Sequence, residues 1–506
     1  RGCLEQLMPL LLTELCDWSV TTRTKAAATL CNVLVYAERS VKAHAEKLLA
    51  GLARAAMDDE QTVSQHAQAC VRLAGAFVPA DLALSIVDNN VRGAGHTAGG
   101  KRSWSALMAT LLEGAGQDEV GALVVPLTDM VRDLELSLPD AQDHQVQILR
   151  LVRGVVTGAG PKAQPVQRSL FASLLRLQGL GEEMEALGAA AQQTIEELGT
   201  VLGYGGTSGL YEAEIGNVLS EAVQGASSWR RDSQELRIFN VALRHGHAAV
   251  CAHASLWVPV FALAADHNKD ADVRSVLLVL LDFVLQDSAL RPALVHSAHG
   301  ATLLVEAVVP VCVWRSGKVA SALRKGGVCC LRALLRHKLV SADTVAQQLG
   351  QGFTPGPLTP VLKSCLDDDD AQIRFITCQA MVHLFELVEG RLDQEMVRIM
   401  YLELLKRLDD SNDSIRIHAA QAFTAFLPSV PRGYEAGQFD YIVRGLAIHL
   451  DDQNPEVQEG VLPALLAAAS VNPTQLINVL EECRTKHRST AYCDRAIAHA
   501  RELASM

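Results

Sequence analysis

The residues whose spacing comes nearest to a chemical motif are Gly95, Gly100 and Lys101, in the stretch GHTAGGKRS. They match the glycines and the lysine of a phosphate-binding loop, G-x-x-x-x-G-K-[ST], whose backbone N–H groups and lysine hold nucleotide phosphates. The position that should carry a Mg²⁺-binding hydroxyl is Arg102, and Ser103 comes one residue late. We interpret the stretch as a glycine-rich loop between helical pairs and keep a P-loop NTPase as a remote alternative.

Asp282 is the acid that such an NTPase would need for its metal ion. It ends the apolar stretch LLVLLD, which could form a strand. However, Asp282 also lies within a helical stripe, and the chain does not alternate strands and helices as a nucleotide-binding sheet requires. We therefore predict no nucleotide cofactor.

Two further groups have side chains that bind metals. In RHGHAAVCAH, His247 and Cys251 would share one helix face while His245 and His253 point elsewhere, and two ligands do not make a zinc site. The acids 367–370 lack the glycine and the distal glutamate of a calcium loop. No Ser-His-Asp or paired-carboxylate arrangement can be identified. We predict no metal site, no cofactor and no catalytic residue, and hence a protein that is not an enzyme.

The elements that carry these residues come from a repeat. Three stretches align without a gap at a spacing of 42 residues, and their matched positions are Leu366, Leu408 and Leu450; Asp368, Asp410 and Asp452; and Ile373, Ile415 and Val457. A period near 40 residues with two helices per unit is typical of an α-solenoid.

Each unit is predicted to contain two helices. The second helix places Ile415, Ala419 and Phe423 on one face, and the first spans about Gln394 to Leu408. One such pair is too small to bury a core alone, whereas stacked pairs bury a continuous one. The predicted fold is all-α, a right-handed α-solenoid (superhelix) of about a dozen helical pairs without a sheet.

The acids lie in the turn between the two helices, where Ser411, Asn412 or Asp413 can cap the second helix. Equivalent residues of stacked units should form a ladder, in which an aspartate reaches the arginine of a neighbouring unit. The predicted ladder residues are Asp17, Arg23, Asp368, Arg374, Asp410, Arg416 and Asp452.

One charged stretch stands out in a chain whose net charge is −12. It contains seven basic residues and no acid, namely Arg315, Lys318, Arg324, Lys325, Arg332, Arg336 and Lys338. The stretch is predicted to turn at Gly326-Gly327 and to continue as a helix. It is either a solvated repeat surface, with Arg324 in the ladder, or a docking patch for an acidic segment of a partner.

Composition excludes several classes of protein. Of 506 residues, 49% are apolar but only 5% aromatic, as expected for helices packed through small side chains. The negative charge argues against nucleic-acid partners, and no run of 18 apolar residues predicts a membrane span. Twelve cysteines without a C-x-x-C pair indicate reduced thiols in the cytosol. Because the chain begins with Arg inside a helical pattern, we expect a fragment.

The same observations suggest a division of the chain. The predicted regions are helical repeats of the clear kind at 1–93; a glycine-rich loop at 94–103; degenerate helical repeats at 104–235; helical repeats with the basic stretch at 236–355; clear 42-residue repeats at 356–485; and a C-terminal capping helix at 486–506.

An aspartate followed six residues later by an arginine, within a helical pair, resembles HEAT repeats, most clearly over 1–75 and 355–470. The stretches TKHRSTAYCDRAIAHAREL, RGCLEQLMPLLLTELCDW and LLKRLDDSND make the chain similar to the HEAT-repeat dynein axonemal assembly factors, as their C-terminal portion.

This resemblance implies a cytoplasmic, non-enzymatic scaffold of ciliated cells that helps dynein arms to assemble before they enter the cilium. The partners it implies are axonemal dynein intermediate and heavy chains, other assembly factors and chaperones, with neither nucleic acid nor membrane. Because solenoids of this kind also serve as nuclear-transport adaptors and phosphatase scaffolds, a general protein-binding solenoid is the alternative function.

Overall fold

The computed structural model shows a chain built of helices. It describes residues 2–93, 98–137, 142–295, 298–431 and 434–505. The chain divides into two compact units, one formed by Arg1–Gln224 with Gln234–Ala249 and the other by Gly225–Ser233 with Val250–Met506. Within the described ranges, no helix is both long and apolar enough to cross a bilayer.

The first unit contains helices that follow one another through short turns. They are α1 Gly2–Glu14, α2 Val20–Ala37, α3 Ala45–Ala55, α4 Gln61–Phe77, α5 Ala80–Arg92, α6 Ala98–Gly114, α7 Gln117–Ala122, α8 Val124–Ser137, α9 Gln142–Ala159, α10 Gln167–Gln178, α11 Glu185–Val201, α12 Thr207–Val223 and α13 Gln234–His245.

The second unit continues the same organisation. After α14 His247–Cys251 come α15 Ala254–Trp257, α16 Ala271–Gln286, α17 His299–Thr302, α18 Val309–Cys312, α19 Lys318–Arg336, α20 Ala342–Leu349, α21 Leu358–Leu366, α22 Ala371–Leu387, α23 Gln394–Leu408, α24 Asp413–Phe426, α25 Ala436–Ile448, α26 Pro455–Ala468, α27 Pro473–Arg484 and α28 Ala491–Ala504.

Helices pack as pairs, and the second helix of each pair packs on the second helix of the next. In the first unit this row runs from α2 through α4, α6 and α9 to α11, and in the second from α16 through α19, α22 and α24 to α26. First helices stack likewise, for example α21 on α23 and α23 on α25. This arrangement confirms the predicted all-helical solenoid, whose handedness stays a prediction.

The apolar stripe of α24 shows why pairs must stack. Ile415, Ala419, Phe423 and Phe426 are all fully buried. Fully burying a large apolar side chain contributes roughly 1.5–3 kcal/mol, and a single pair offers too few such contacts to fold alone. The stripe predicted from the sequence is confirmed, as is the extent of α23.

The structure differs from the prediction of no sheet at one hairpin. Gly350–Gln351 and Thr354–Pro355 form two short antiparallel strands, β1 and β2, with Gly350 opposite Pro355. Gly350 and Gly352 adopt φ values of 97° and 56°, which glycine tolerates because it has no Cβ. A reversal this tight forms a local hairpin without adding a layer to the fold.

Two predicted loops are helical. Residues 98–103 belong to α6, so only 94–97 of the predicted glycine-rich loop 94–103 remain, and those four lie outside the described residues. Gly326 and Gly327 do not form a turn, because α19 runs unbroken from Lys318 to Arg336. A Cβ on Gly327 would lie 2.8 Å from the Cys312 sulfur, so close helix packing explains the glycine.

The last helix, α28, packs on α27 and α26. Its buried face consists of Cys493, Ala496, Ile497 and Ala500. That 486–506 cap the array stays a prediction, which requires that their deletion exposes the apolar residues Leu462, Leu465 and Leu466 of α26 and lowers solubility.

Candidate functional site

A row of Arg–Asp ion pairs joins the second helix of one pair to the turn of the next. We call each pair a rung and the row the ladder. The rungs are Arg23–Asp58, Arg324–Asp368, Arg374–Asp410 and Arg416–Asp452, with shortest N–O distances of 2.8, 2.6, 2.8 and 2.7 Å. The ladder is therefore continuous from α19 to the turn before α26.

Arg374 shows how a rung works. Its Nε and Nη2 donate to the two carboxylate oxygens of Asp410 at 2.8 and 3.0 Å, and its Nη1 donates to the carbonyl of Asp368 at 2.8 Å. One guanidinium thus fixes its own turn and the next one. A bidentate Arg–carboxylate pair adds geometric specificity to charge attraction.

The aspartates also organise the turn in which they lie. Asp410 accepts a hydrogen bond from the Asn412 N–H at 3.1 Å, and Asp452 accepts one from the Asn454 N–H at 2.8 Å. Asn412 then caps α24 through the Ser414 N–H at 3.0 Å. Of the three capping residues considered from the sequence, the structure uses Asn412.

Two of the rungs hold their carboxylates in the charged form. Burial alone would raise the pKa of Asp410, but hydrogen bonds from Arg374 and from the Asn412 N–H outweigh it and lower that pKa. The pKa of Asp58 is lowered in the same way, since hydrogen bonds from Arg23 and from the Glu60 N–H outweigh burial. These carboxylates therefore stay ionised at neutral pH.

Burial differs along the ladder. The side chains of Arg324 and Asp368 are 4% and 1% exposed, whereas those of Arg416 and Asp452 are 20% and 10% exposed. Because solvent screens an exposed pair, the Arg324 rung contributes most to holding its turn.

Asp17 has a local role. Its carboxylate accepts from the Ser19 N–H at 2.7 Å, and its carbonyl accepts from Arg23 Nη1 at 3.0 Å. At the other end, Gln458 occupies the position of the ladder arginine and donates to the Asp452 carbonyl at 2.5 Å. The Asp–Arg pattern thus ends in α26 by a change of residue type.

The basic stretch does not form one patch. Arg315 and Lys318 are exposed at the start of α19, while Arg336 and Lys338 are exposed at its end. At 1.5 Å per residue, Lys318 and Arg336 lie about 27 Å apart along the helix. The sequence-predicted stretch is therefore two separate basic ends.

The remaining three residues of the predicted patch have partners inside the fold. Arg324 is buried against Asp368. Arg332 donates to the Gln379 side chain at 2.7 Å, and Lys325 lies 3.7 Å from an Asp370 carboxylate oxygen. Arg324 is consequently a ladder residue and is not available to a partner, which corrects its inclusion in the docking patch.

The two residues on which the NTPase alternative depends lie in helices. Lys101 lies within α6 and Asp282 within α16, so neither residue ends a strand. Burial raises the pKa of Asp282 more than Gln286 and Arg332 lower it, and Gln286 donates to its carboxylate at 2.6 Å. Asp282 is a half-buried helix residue.

Three of the acids considered as calcium ligands have structural roles. Asp367 pairs with Arg407 at 3.0 Å, Asp368 belongs to a rung, and Asp370 caps α22 through the Gln372 N–H. Across the residues that the structure describes, no cluster of three or more His, Cys, Asp or Glu could hold a metal ion.

Sequence reasoning missed the pairs that tie second helices together in the first unit. Arg153 on α9 donates to both carboxylate oxygens of Glu197 on α11, at 3.0 and 2.6 Å. Arg72 on α4 pairs with Glu113 on α6 at 2.7 Å. Their separations of 44 and 41 residues match the repeat period, which was the available signal.

A buried charge was also missed. The Arg176 side chain is 1% exposed and donates to Glu135 at 3.0 Å and to the Gln145 side chain at 2.8 Å. Nothing in the sequence of this degenerate region indicates that an arginine points inward, because the pair joins two helices, α8 and α10, without a motif.

Comparison with known proteins agrees with the resemblance noted in the sequence. Residues 2–181 match the family described as Dynein axonemal assembly factor 5, HEAT-repeat domain. Proteins named Dynein axonemal assembly factor 5 are 24% identical in Xenopus laevis over 99% of this chain, and 25% identical in Homo sapiens over 98%. The chain spans 59% and 57% of the length of those two relatives.

Solved structures provide a likeness of fold alone. Kap121p bound to Pho4p is 13% identical with a TM-score of 0.43, covering 98% of this chain and 52% of that one. A designed armadillo repeat protein is 15% identical with a TM-score of 0.35, covering 48% of this chain and 99% of its own. Both scores are too low to support any argument about function.

Proposed function

Because this chain is similar to the HEAT-repeat dynein axonemal assembly factors, we propose that it is a non-catalytic scaffold for the preassembly of axonemal dynein arms. It acts in the cytoplasm of ciliated cells. It binds dynein intermediate and heavy chains, other assembly factors and chaperones through its helical surface.

The observation that carries this proposal is the extent of the similarity. Identity of 24–25% extends over 98–99% of this chain in the relatives from Xenopus laevis and Homo sapiens. A stack of helical pairs suits the role, since such a stack presents a long surface and each pair contacts only its neighbours.

The described residues also favour binding over chemistry. The residues that came nearest to a catalytic motif, Lys101 and Asp282, belong to helices. Of the acids 367–370, Asp368 belongs to a rung and Asp370 caps a helix.

The test is crosslinking mass spectrometry with the tagged chain in extracts of ciliated cells and of matched non-ciliated cells. The expected result is a set of crosslinks to axonemal dynein chains or their chaperones in the ciliated extract alone. Equal capture of transport cargo or phosphatase subunits from both extracts would instead support a general protein-binding solenoid.

The two basic ends of α19 are proposed to contribute to partner binding. Arg336→Glu with Lys338→Glu should weaken capture of the partner and remove part of its salt dependence, because both side chains are exposed. Exposed charges contribute little to stability, so the helical spectrum should not change. Unchanged capture would place the binding surface elsewhere.

A further inference from the structure

The ladder has one position at which the carboxylate is replaced by an arginine. In the regular turns the rung aspartate stands two residues before the N-cap: Asp368 before Asp370, Asp410 before Asn412, and Asp452 before Asn454. The turn before α19 has Gly317 as its N-cap, and two residues earlier stands Arg315.

Hydrogen bonding identifies Arg315 with the rung position independently. Arg374 donates to the carbonyl of the rung residue in its own turn, Asp368, at 2.8 Å. Arg324 makes the same bond with the carbonyl of Arg315, at 3.1 Å. The backbone of this turn thus matches the others, and only the side chain differs.

The arginine that should meet this turn is Arg274, on the preceding second helix α16. Its Nε donates to the Ala264 carbonyl at 2.8 Å, and its side chain is half-buried. Among the described residues, no carboxylate lies within 4 Å of the nitrogens of Arg274 or Arg315. The nearby Asp266 already accepts the N–H of Asn268 at 2.9 Å.

The electrostatics show an excess of positive charge. Burial and then the charge of Arg315 lower the pKa of Arg274, while Asp266 opposes them. Burial followed by Arg315 and Arg274 likewise lowers the pKa of His267. An anion placed between the two guanidinium groups would remove this repulsion.

Apolar surface adjoins the charges. Trp314 is 52% exposed and Val313 is 46% exposed, directly before Arg315 in the chain. A free phosphate ion would make no use of these side chains, whereas a peptide offers an acidic side chain together with apolar ones. Aromatic and arginine side chains are those that contribute most at protein interfaces.

We propose that this missing rung is a docking site for an acidic segment of a protein partner, whose Asp or Glu carboxylate lies between Arg274 and Arg315 while an apolar neighbour packs on Trp314. The site deepens the proposed function and rests on it for the premise that the chain binds other proteins. It specifies the chemistry of the bound segment.

The probe is a short fluorescent peptide with the central sequence Leu-Asp-Glu-Leu, compared with the same peptide carrying Leu-Asn-Gln-Leu. Binding is measured by anisotropy at about 0.15 M salt. The decisive variant is Arg315→Asp, which restores the carboxylate of a rung. The matched control is Arg495→Asp, which makes the same charge change at an exposed position on α28.

The expected result is binding of the acidic peptide at least about tenfold tighter than the amide peptide. Arg315→Asp should abolish this preference and raise or preserve the midpoint of thermal unfolding, because Arg274 gains a partner. Arg495→Asp should change affinity by less than about twofold, as expected for an exposed charge on another helix.

Equal binding of the two peptides, or unchanged binding by Arg315→Asp, would overturn the site. Saturable displacement of the probe by inorganic phosphate at constant ionic strength, without any preference for the acidic peptide, would overturn the protein segment as the occupant. Arg315-dependent binding to phosphatidylserine vesicles in place of the peptide would do the same. Because no dynein chain is used, failure here leaves the scaffold proposal standing, and absence of dynein crosslinks leaves this site standing.

Discussion

Two parts of the molecule hold successive helical pairs together by different means. From α19 to α26, an arginine of each second helix reaches an aspartate in the next turn, and the most exposed rung side chain there is 20% accessible. Along α4, α6, α9 and α11, arginines on helix faces meet carboxylates of the adjacent second helix, as Arg153 meets Glu197 with 49% and 25% exposure.

The comparison of the two regions distinguishes what apolar packing contributes from what the ion pairs contribute. In both parts the second helices stack in order along the row although their charge pairs differ, so apolar burial is what the two parts share. Three rung arginines, Arg23, Arg324 and Arg374, also bind a carbonyl of their own turn and so fix it, whereas a face pair adds only an exposed attraction. The laddered region should therefore depend on its charges, and the face-paired region should not.

The largest expected effect is that of Asp368→Ala. Removing this carboxylate leaves the buried Arg324 without its charge partner, and breaking a buried pair costs roughly 3–4 kcal/mol. Because pairs open separately, the measurement is native-state hydrogen exchange of α19 and α22. If the stability of α19 and α22 falls by less than about 1 kcal/mol, this rung behaves like an exposed ion pair.

Arg176→Met tests whether burial or the position in a turn decides how much stability is lost when an ion pair is broken. It leaves Glu135 buried without its partner in the face-paired region and should destabilise α8 and α10 by about 3 kcal/mol. Adding Glu135→Leu should recover stability to within about 1 kcal/mol, since apolar side chains can replace a buried pair. Amide hydrogen-exchange rates of α8 and α10 measure the stability of the single and of the double variant. A double variant as unstable as the single one would contradict this account.

Acid should weaken the laddered region through Asp410. Its folded pKa lies below the unfolded one, so its stabilisation is complete above the unfolded value, about 3.9, and is lost as pH falls through the folded pKa. Asp410→Asn should cost about 2 kcal/mol at neutral pH and flatten the acid dependence of exchange in α22 and α24. An unchanged acid profile in this variant would assign the dependence to other carboxylates.

The smallest expected effect is that of Arg153→Ala. This exposed pair with Glu197 should contribute no more than about 0.5 kcal/mol, and added salt should reduce the difference from the wild type. Hydrogen exchange of α9 and α11 in low and in high salt measures this difference in stability. A cost as large as that of Asp368→Ala would remove the distinction between the two regions.

Much of the fold could be predicted because its signals are local. The period of 42 residues, the apolar stripe of α24 and the acids before each second helix depend on neighbours within a single pair. The extent of α23 and the capping by Asn412 follow from the same short-range chemistry. For these features the linear sequence already contained the physical cause.

The remainder depended on contacts between pairs. α19 continues through Gly326 and Gly327 because the lack of a Cβ lets Leu278, Val311 and Cys312 approach closely. The same helix places Lys318 and Arg336 about 27 Å apart and so separates the basic residues into two ends.

The ion pairs between successive helical pairs could not be predicted from the sequence either. The sequence determined where a ladder of charges could form. Only the tertiary structure decided that Arg324 is buried in it and that Arg315 stands where a carboxylate belongs, because both facts depend on which turn each second helix meets.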